Sequence, residues 1–230
     1  MLGSPVVDAA GVLETIEQDR ILAVIRAARV PDPAGLARAL ADAGVRAVEF
    51  TFTIPDVLAT IEAATSSGAV VGAGSLVDAG QAREAIAAGA AFVTGPAFVP
   101  EIVEAGRSAG VAVFPAAFTP TEVLIAARSG APAIKLFPAR VGGPAYVRDL
   151  LGPFPELRLI PSGGIDEEIA AAFIDAGAFA VFAGTSMAPA GLVDAGDHEA
   201  IGKRARGFVE AISAWRRRPQ VRGGAGSELP

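Results

Sequence analysis

One phrase recurs along the chain: a helical stretch closed by a small residue and glycine, a short apolar run, then a turn rich in Pro, Ser, Thr or Gly. Apolar runs this short, bounded by such turns, read as parallel strands buried on both faces, with the intervening helices covering the sheet. The strand candidates are Ile21–Arg26, Ala47–Phe52, Val70–Ser75, Ala91–Pro96, Ala112–Ala117, Ala133–Pro138, Leu157–Ser162 and Ala180–Thr185. They begin roughly every 21 to 26 residues, the size of a compact unit in a (β/α)8 barrel.

Helix starts are marked by Asp32–Pro33, by Thr119-Pro120-Thr121-Glu122 and by Asp166-Glu167-Glu168. Gly44, Gly68, Gly89, Gly110, Gly130 and Gly177 then close helices at the position that often takes a left-handed residue. A doubly wound open sheet is the rival architecture, and no GxGxxG fingerprint follows the first strand to support it. The expected fold is a single-domain α/β TIM barrel over residues 1–217, with residues 8–19 as a helix under or beside it. Ala200–Arg217 is expected to form a closing helix and residues 218–230 a disordered tail.

Composition narrows the function classes. A net charge of −6 disfavours a nucleic-acid partner. No apolar run approaches the roughly eighteen residues that span a bilayer, so no membrane partner is expected. The chain has no cysteine and one histidine, His198, which leaves no zinc ligand set; no metal is expected. Without a disulfide framework or a signal peptide, the expected location is the cytoplasm.

Strand parity locates the chemistry. In Ala47–Phe52, the bulky Val48, Phe50 and Phe52 suit the helix layer and send Glu49 and Thr51 inward. In Ala133–Pro138, Ile134 and Leu136 face the helices, leaving Lys135 and Phe137 inside. Read structurally, Glu49 and Lys135 form a buried salt bridge. Residue usage argues against that alone: of 19 basic residues only Lys135 and Lys203 are lysines, so arginine is the default cation and Lys135 departs from it. A guanidinium serves an ion pair better, whereas only an amine can lose its proton and attack a carbonyl. Lys135 is thus the candidate Schiff-base nucleophile toward a 2-oxo acid, and Glu49 the candidate proton shuttle.

Arg26, closing the first strand at the mouth, can hold a substrate carboxylate in a bidentate fork, with Ser75, Thr51 or Thr53 adding hydroxyls. Pro96 and Pro115, read as strand-end residues, are candidate pocket walls. Ser162-Gly163-Gly164 follows the seventh strand and Gly184-Thr185-Ser186 the eighth, the two loops where small barrels hold phosphate.

Together these residues resemble the class I aldolases for 2-keto-3-deoxy-6-phosphogluconate (KDPG) and 4-hydroxy-2-oxoglutarate (KHG). The resemblance runs in order through Val24-Ile25-Arg26, Val48-Glu49-Phe50-Thr51, Gly72-Ala73-Gly74-Ser75, Phe114-Pro115, Thr119-Pro120-Thr121-Glu122, Lys135-Leu136-Phe137-Pro138, Gly152-Pro153-Phe154-Pro155 and Pro161-Ser162-Gly163-Gly164-Ile165. It implies Lys135 as Schiff-base lysine, Glu49 as proton-transfer residue, and Arg26 with Ser75 at the pyruvate anion. It also implies phosphate contacts at Gly163, Gly164 and Ser186, no cofactor, and a homotrimer. Ser75 and Ser162 stand where threonine is usual, Ala116 where glycine is usual, and Thr53 where some relatives carry arginine, which leaves Arg26 as the main carboxylate anchor. The implied reaction is KDPG cleavage to pyruvate and glyceraldehyde 3-phosphate. Alternatives are the galactonate epimer, the unphosphorylated 4-hydroxy-2-oxo acid, or a catalytically silent barrel used for binding or assembly.

Overall fold

A computed structural model of the chain describes residues 8–216. The expected tail at 218–230 lies outside the described residues, as do the first seven and Arg217. Strands β1 (Ile21–Ile25), β2 (Ala47–Thr51), β3 (Val70–Gly74), β4 (Phe92–Thr94), β5 (Ala112–Phe114), β6 (Ala116–Ala117), β7 (Ile134–Leu136), β8 (Leu159–Pro161) and β9 (Val181–Ala183) alternate with helices. The helices are α1 (Ala9–Asp19), α2 (Pro33–Asp42), α3 (Val57–Ala64), α4 (Ala79–Ala87), α5 (Pro100–Ala109), α6 (Pro120–Arg128), α7 (Gly143–Leu151), α8 (Glu167–Asp175), α9 (Ala190–Ala195) and α10 (His198–Arg216). No helix among the described residues is long and apolar enough to cross a membrane.

All strand pairs are parallel, in two sheets ordered β5-β4-β3-β2-β1-β9 and β6-β7-β8. The expected strand Ala112–Ala117 is divided at Pro115, a buried residue between the end of β5 and the start of β6. Proline lacks the N–H that a central ladder needs. Its carbonyl stays in use, accepting from Lys135 N at 3.0 Å. The expected strands at 91–96 and 157–162 shorten to β4 and β8, which leaves Pro96 and Ser162 beyond the regular strands.

Two apolar clusters follow the period-two alternation of the strands. In β1, Ala23 and Ile25 pack toward the helices while Leu22 joins a second cluster; in β9, Val181 and Ala183 do the first and Phe182 the second. That second cluster gathers Phe92, Phe114, Ile160 and Phe182 with Val12 and Ile16 of α1. Helix α1 thus packs beneath the strands, as expected for residues 8–19. It is tied there by Arg46, whose guanidinium meets the Asp19 carboxylate at 2.5 Å. Gly72 makes room within this cluster: a Cβ there would stand 2.3 Å from Cζ of Phe92.

Helix α6 shows how local sequence sets an element. Thr119 and Glu122 form a reciprocal capping box, with Glu122 Oε2 accepting from both Thr119 N and Phe118 N at 2.8 Å. Those backbone donors hold the Glu122 carboxyl below its usual 4.5, the Thr119 N–H first and the Phe118 N–H next. Its stabilisation is therefore present above the unfolded value and lost as pH falls through the lower folded one. Glu122→Ala is expected to reduce stability by about 0.5–1 kcal/mol at neutral pH, a modest cost for an exposed cap. Urea titrations at successive pH values should show this difference fading below about pH 4.

Candidate active site

The two sheets contribute opposite charges to one point. Lys135 from β7 and Glu49 from β2 meet with Nζ to Oε2 at 3.3 Å, Lys135 being 6% exposed and Glu49 fully buried. The inward parity expected for both residues is what the structure shows. The ammonium also stands 4.7 Å from the ring centre of Phe182, within cation–π range.

Energetics argue that this pair is not kept for stability. At 3.3 Å and an effective dielectric of about 20, the attraction is on the order of 5 kcal/mol. Removing two ions from water costs several kcal/mol each. The attraction does not exceed the penalty, and Glu49 Oε1 is also buried without a hydrogen-bond partner. What the arrangement supplies is an amine and a carboxylate oxygen in dry surroundings, one able to capture a carbonyl and the other to seat a proton.

Gly74 on the neighbouring strand makes this carboxylate position available. A Cβ at residue 74 would stand 1.8 Å from Glu49 Oε1 and 2.1 Å from its Cδ. Gly74→Ala is therefore expected to displace the Glu49 carboxylate from Lys135, and a rate that depends on their approach should fall by about 10²-fold. Comparing steady-state turnover with borohydride trapping in that variant checks it; unaltered turnover would detach Glu49's position from the rate.

A second group lies at the carboxyl end of β1. Arg26 follows the strand's last residue, and its guanidinium donates to Thr53 Oγ1 at 3.0 Å and to Ser75 Oγ at 3.1 Å. Thr51 supports the arrangement, its hydroxyl lying 2.8 Å from that of Thr53 and donating to Ile25 O at 3.1 Å. Ser75 adopts a left-handed backbone with φ 63°, uncommon for a residue with a side chain. The guanidinium is exposed and has hydroxyl partners but no carboxylate among the described residues, which leaves it able to receive an anion.

The glycine loops also lie at this end. Gly163 and Gly164 have φ of 96° and 76°, so the turn before α8 needs residues without a Cβ. A Cβ on Gly163 would touch the Phe137 ring at 3.3 Å, which sets that ring between the Lys135 strand and the first loop. A parallel bridge between Ser162 and Phe182 brings together the segments that lead into the two loops. In the second loop Gly184 packs near Val24, Thr185 is exposed, and Ser186 O accepts from Arg204 Nη1 at 3.2 Å. Pro96, exposed past β4, lines a cleft of about 340 Å³ with Phe98, Phe118, Ile125 and Phe137. Phe182 was missed by sequence reasoning, although the alternation that placed Lys135 would have sent it inward as well. No cluster of three or more His, Asp or Glu able to hold a metal occurs among the described residues.

Known proteins share this arrangement of strands and helices. The family Aldolase: KDPG and KHG aldolase matches residues 12–204. The 2-dehydro-3-deoxy-phosphogluconate aldolase of Pseudomonas aeruginosa is 33% identical over 201 residues, 86% of this chain and 91% of that protein. The protein of the same name from Treponema pallidum is 34% identical, over 81% of this chain and 90% of its own length. A solved 4-hydroxy-2-oxoglutarate/2-dehydro-3-deoxyphosphogluconate aldolase superposes with a TM-score of 0.79 at 32% identity, covering 87% of this chain and 98% of that one. Fold and matches define a lyase of the aldolase class. The chain belongs to the KDPG and KHG aldolase family.

Proposed function

We propose that the chain cleaves 2-keto-3-deoxy-6-phosphogluconate reversibly to pyruvate and glyceraldehyde 3-phosphate. The observation that carries the chemistry is the buried 3.3 Å approach of Lys135 Nζ to Glu49 Oε2. Lys135 attacks the C2 carbonyl and, with loss of water, forms an imine. Glu49 removes the C4 hydroxyl proton as the C3–C4 bond breaks; its electron pair moves into the imine to give an enamine, and the aldehyde departs. Protonation at C3 and hydrolysis release pyruvate and restore the amine. No cofactor takes part in these steps.

Arg26 holds the C1 carboxylate, with Thr51, Thr53 and Ser75 fixing its guanidinium, while Pro96, Phe137 and Ser162 border the substrate. Gly163, Gly164, Gly184, Thr185 and Ser186 receive the phosphate. The relatives' names and the two loops at the same end as Lys135 support the phosphorylated substrate. The same reading includes closure of the two sheets into one (β/α)8 barrel over residues 1–217, supported by the Ser162–Phe182 bridge and the Lys135–Pro115 hydrogen bond. It also includes a homotrimer in the cytoplasm.

Turnover assays with KDPG, its galactonate epimer and 4-hydroxy-2-oxoglutarate test the assignment. KDPG should give the highest kcat/KM; a higher value for 4-hydroxy-2-oxoglutarate would move the assignment to the unphosphorylated acid.

A further inference from the structure

Past β7 the chain folds over the loop that follows β8. Ala139 N donates to Ser162 O at 2.8 Å and Arg140 N to Gly163 O at 3.1 Å, so residue 140 is fixed against the first glycine loop by backbone bonds. Its side chain runs along Gly164: a Cβ at residue 164 would stand 2.8 Å from Arg140 Cβ and 3.1 Å from its Cδ. The guanidinium is exposed and makes no hydrogen bond or ion pair among the described residues.

The charges that follow the loop are of the wrong sign for an anion. Asp166, Glu167 and Glu168 open α8, with Asp166 engaged as its N-cap toward Ile169 N at 2.9 Å. Glu167 turns its carboxylate to Gly207 of α10, which leaves Asp166 as the acid beside a loop that would hold a dianionic phosphoester on the backbone N–H groups of Gly163 and Gly164. An arginine lying on the same glycine reverses the local sign and presents several N–H donors to phosphate oxygens.

We propose that Arg140 determines specificity in this aldolase by binding the phosphate of a phosphorylated substrate. The proposal rests on the phosphate reading of the two glycine loops. Phe137, on the same segment, lies against Gly163, the glycine next to the one that Arg140 covers. Because the guanidinium is exposed, its contribution weakens as salt rises.

The test compares kcat/KM for KDPG and unphosphorylated 2-keto-3-deoxygluconate in the wild-type chain, in Arg140→Gln, and in Arg38→Gln. The last removes an exposed charge on α2 and serves as the charge-matched control. Arg140→Gln should lower the ratio of phosphorylated to unphosphorylated kcat/KM about tenfold, the value of one charge-assisted contact. The loss should reside in KM, with a flatter salt dependence and weaker competitive inhibition by inorganic phosphate. Arg38→Gln should keep the wild-type ratio. If the wild type prefers KDPG and Arg140→Gln keeps that preference, the role of Arg140 is overturned while the loops retain theirs. If the wild type shows no preference and inorganic phosphate does not compete, the phosphate reading falls and this proposal with it.

Discussion

Lys135→Arg should abolish borohydride trapping of pyruvate and reduce aldol turnover by about 10⁴-fold or more, the loss that follows removal of a covalent nucleophile. Arginine is the informative replacement because it keeps a cation opposite Glu49. If Lys135 served only as the partner in a buried ion pair, a guanidinium would fill that place and activity would survive. Lys135→Met is a weaker test by itself, since it leaves Glu49 buried opposite an apolar chain at a cost of about 3–5 kcal/mol. The double variant Lys135→Met/Glu49→Gln removes both charges and should recover part of that stability without recovering turnover. Peptide mass analysis of the trapped wild-type protein should place the adduct on Lys135. The only other lysine is Lys203, exposed on α10, and an adduct there would defeat the assignment.

Glu49→Gln separates capture from cleavage. The amide retains the shape of the carboxylate but cannot accept the C4 hydroxyl proton, so turnover of KDPG should fall by about 10²-fold or more. Pyruvate trapping on Lys135 should persist, because imine formation with pyruvate breaks no carbon–carbon bond. Solvent deuterium exchange into the pyruvate methyl group gives a separate measure of proton transfer at C3. If turnover were unchanged in this variant, the proton would have to travel through another group.

Much of the site could be read in the sequence because it depends on strand parity. The bulky residues of β2 and β7 identify their own outward face, which sends Glu49 and Lys135 inward before any distance is known. The loops after β8 and β9 were legible from glycine placement. Local periodicity does not report how a proline interrupts a ladder, so the division of 112–117 into β5 and β6 was not anticipated. It also says little about side chains outside the strands: Arg140 sits in a short 3-10 turn at Ala139–Val141, and its approach to Gly164 depends on two segments folding onto each other. The bond from Arg26 to Thr53 illustrates the same limit, since sequence named both residues while only the folded chain joins them.

The bare position at Gly74 has a consequence for anyone reshaping this enzyme. Residue 74 has no side chain, yet the volume it leaves unfilled belongs to the Glu49 carboxylate on the next strand. A mutational library that treats positions 49 and 74 as independent will discard combinations that work only together, such as a shorter acid opposite a larger neighbour. The same holds for grafting: transplanting Lys135 and Glu49 onto another scaffold without the adjoining gap would carry over both side chains and lose the geometry between them.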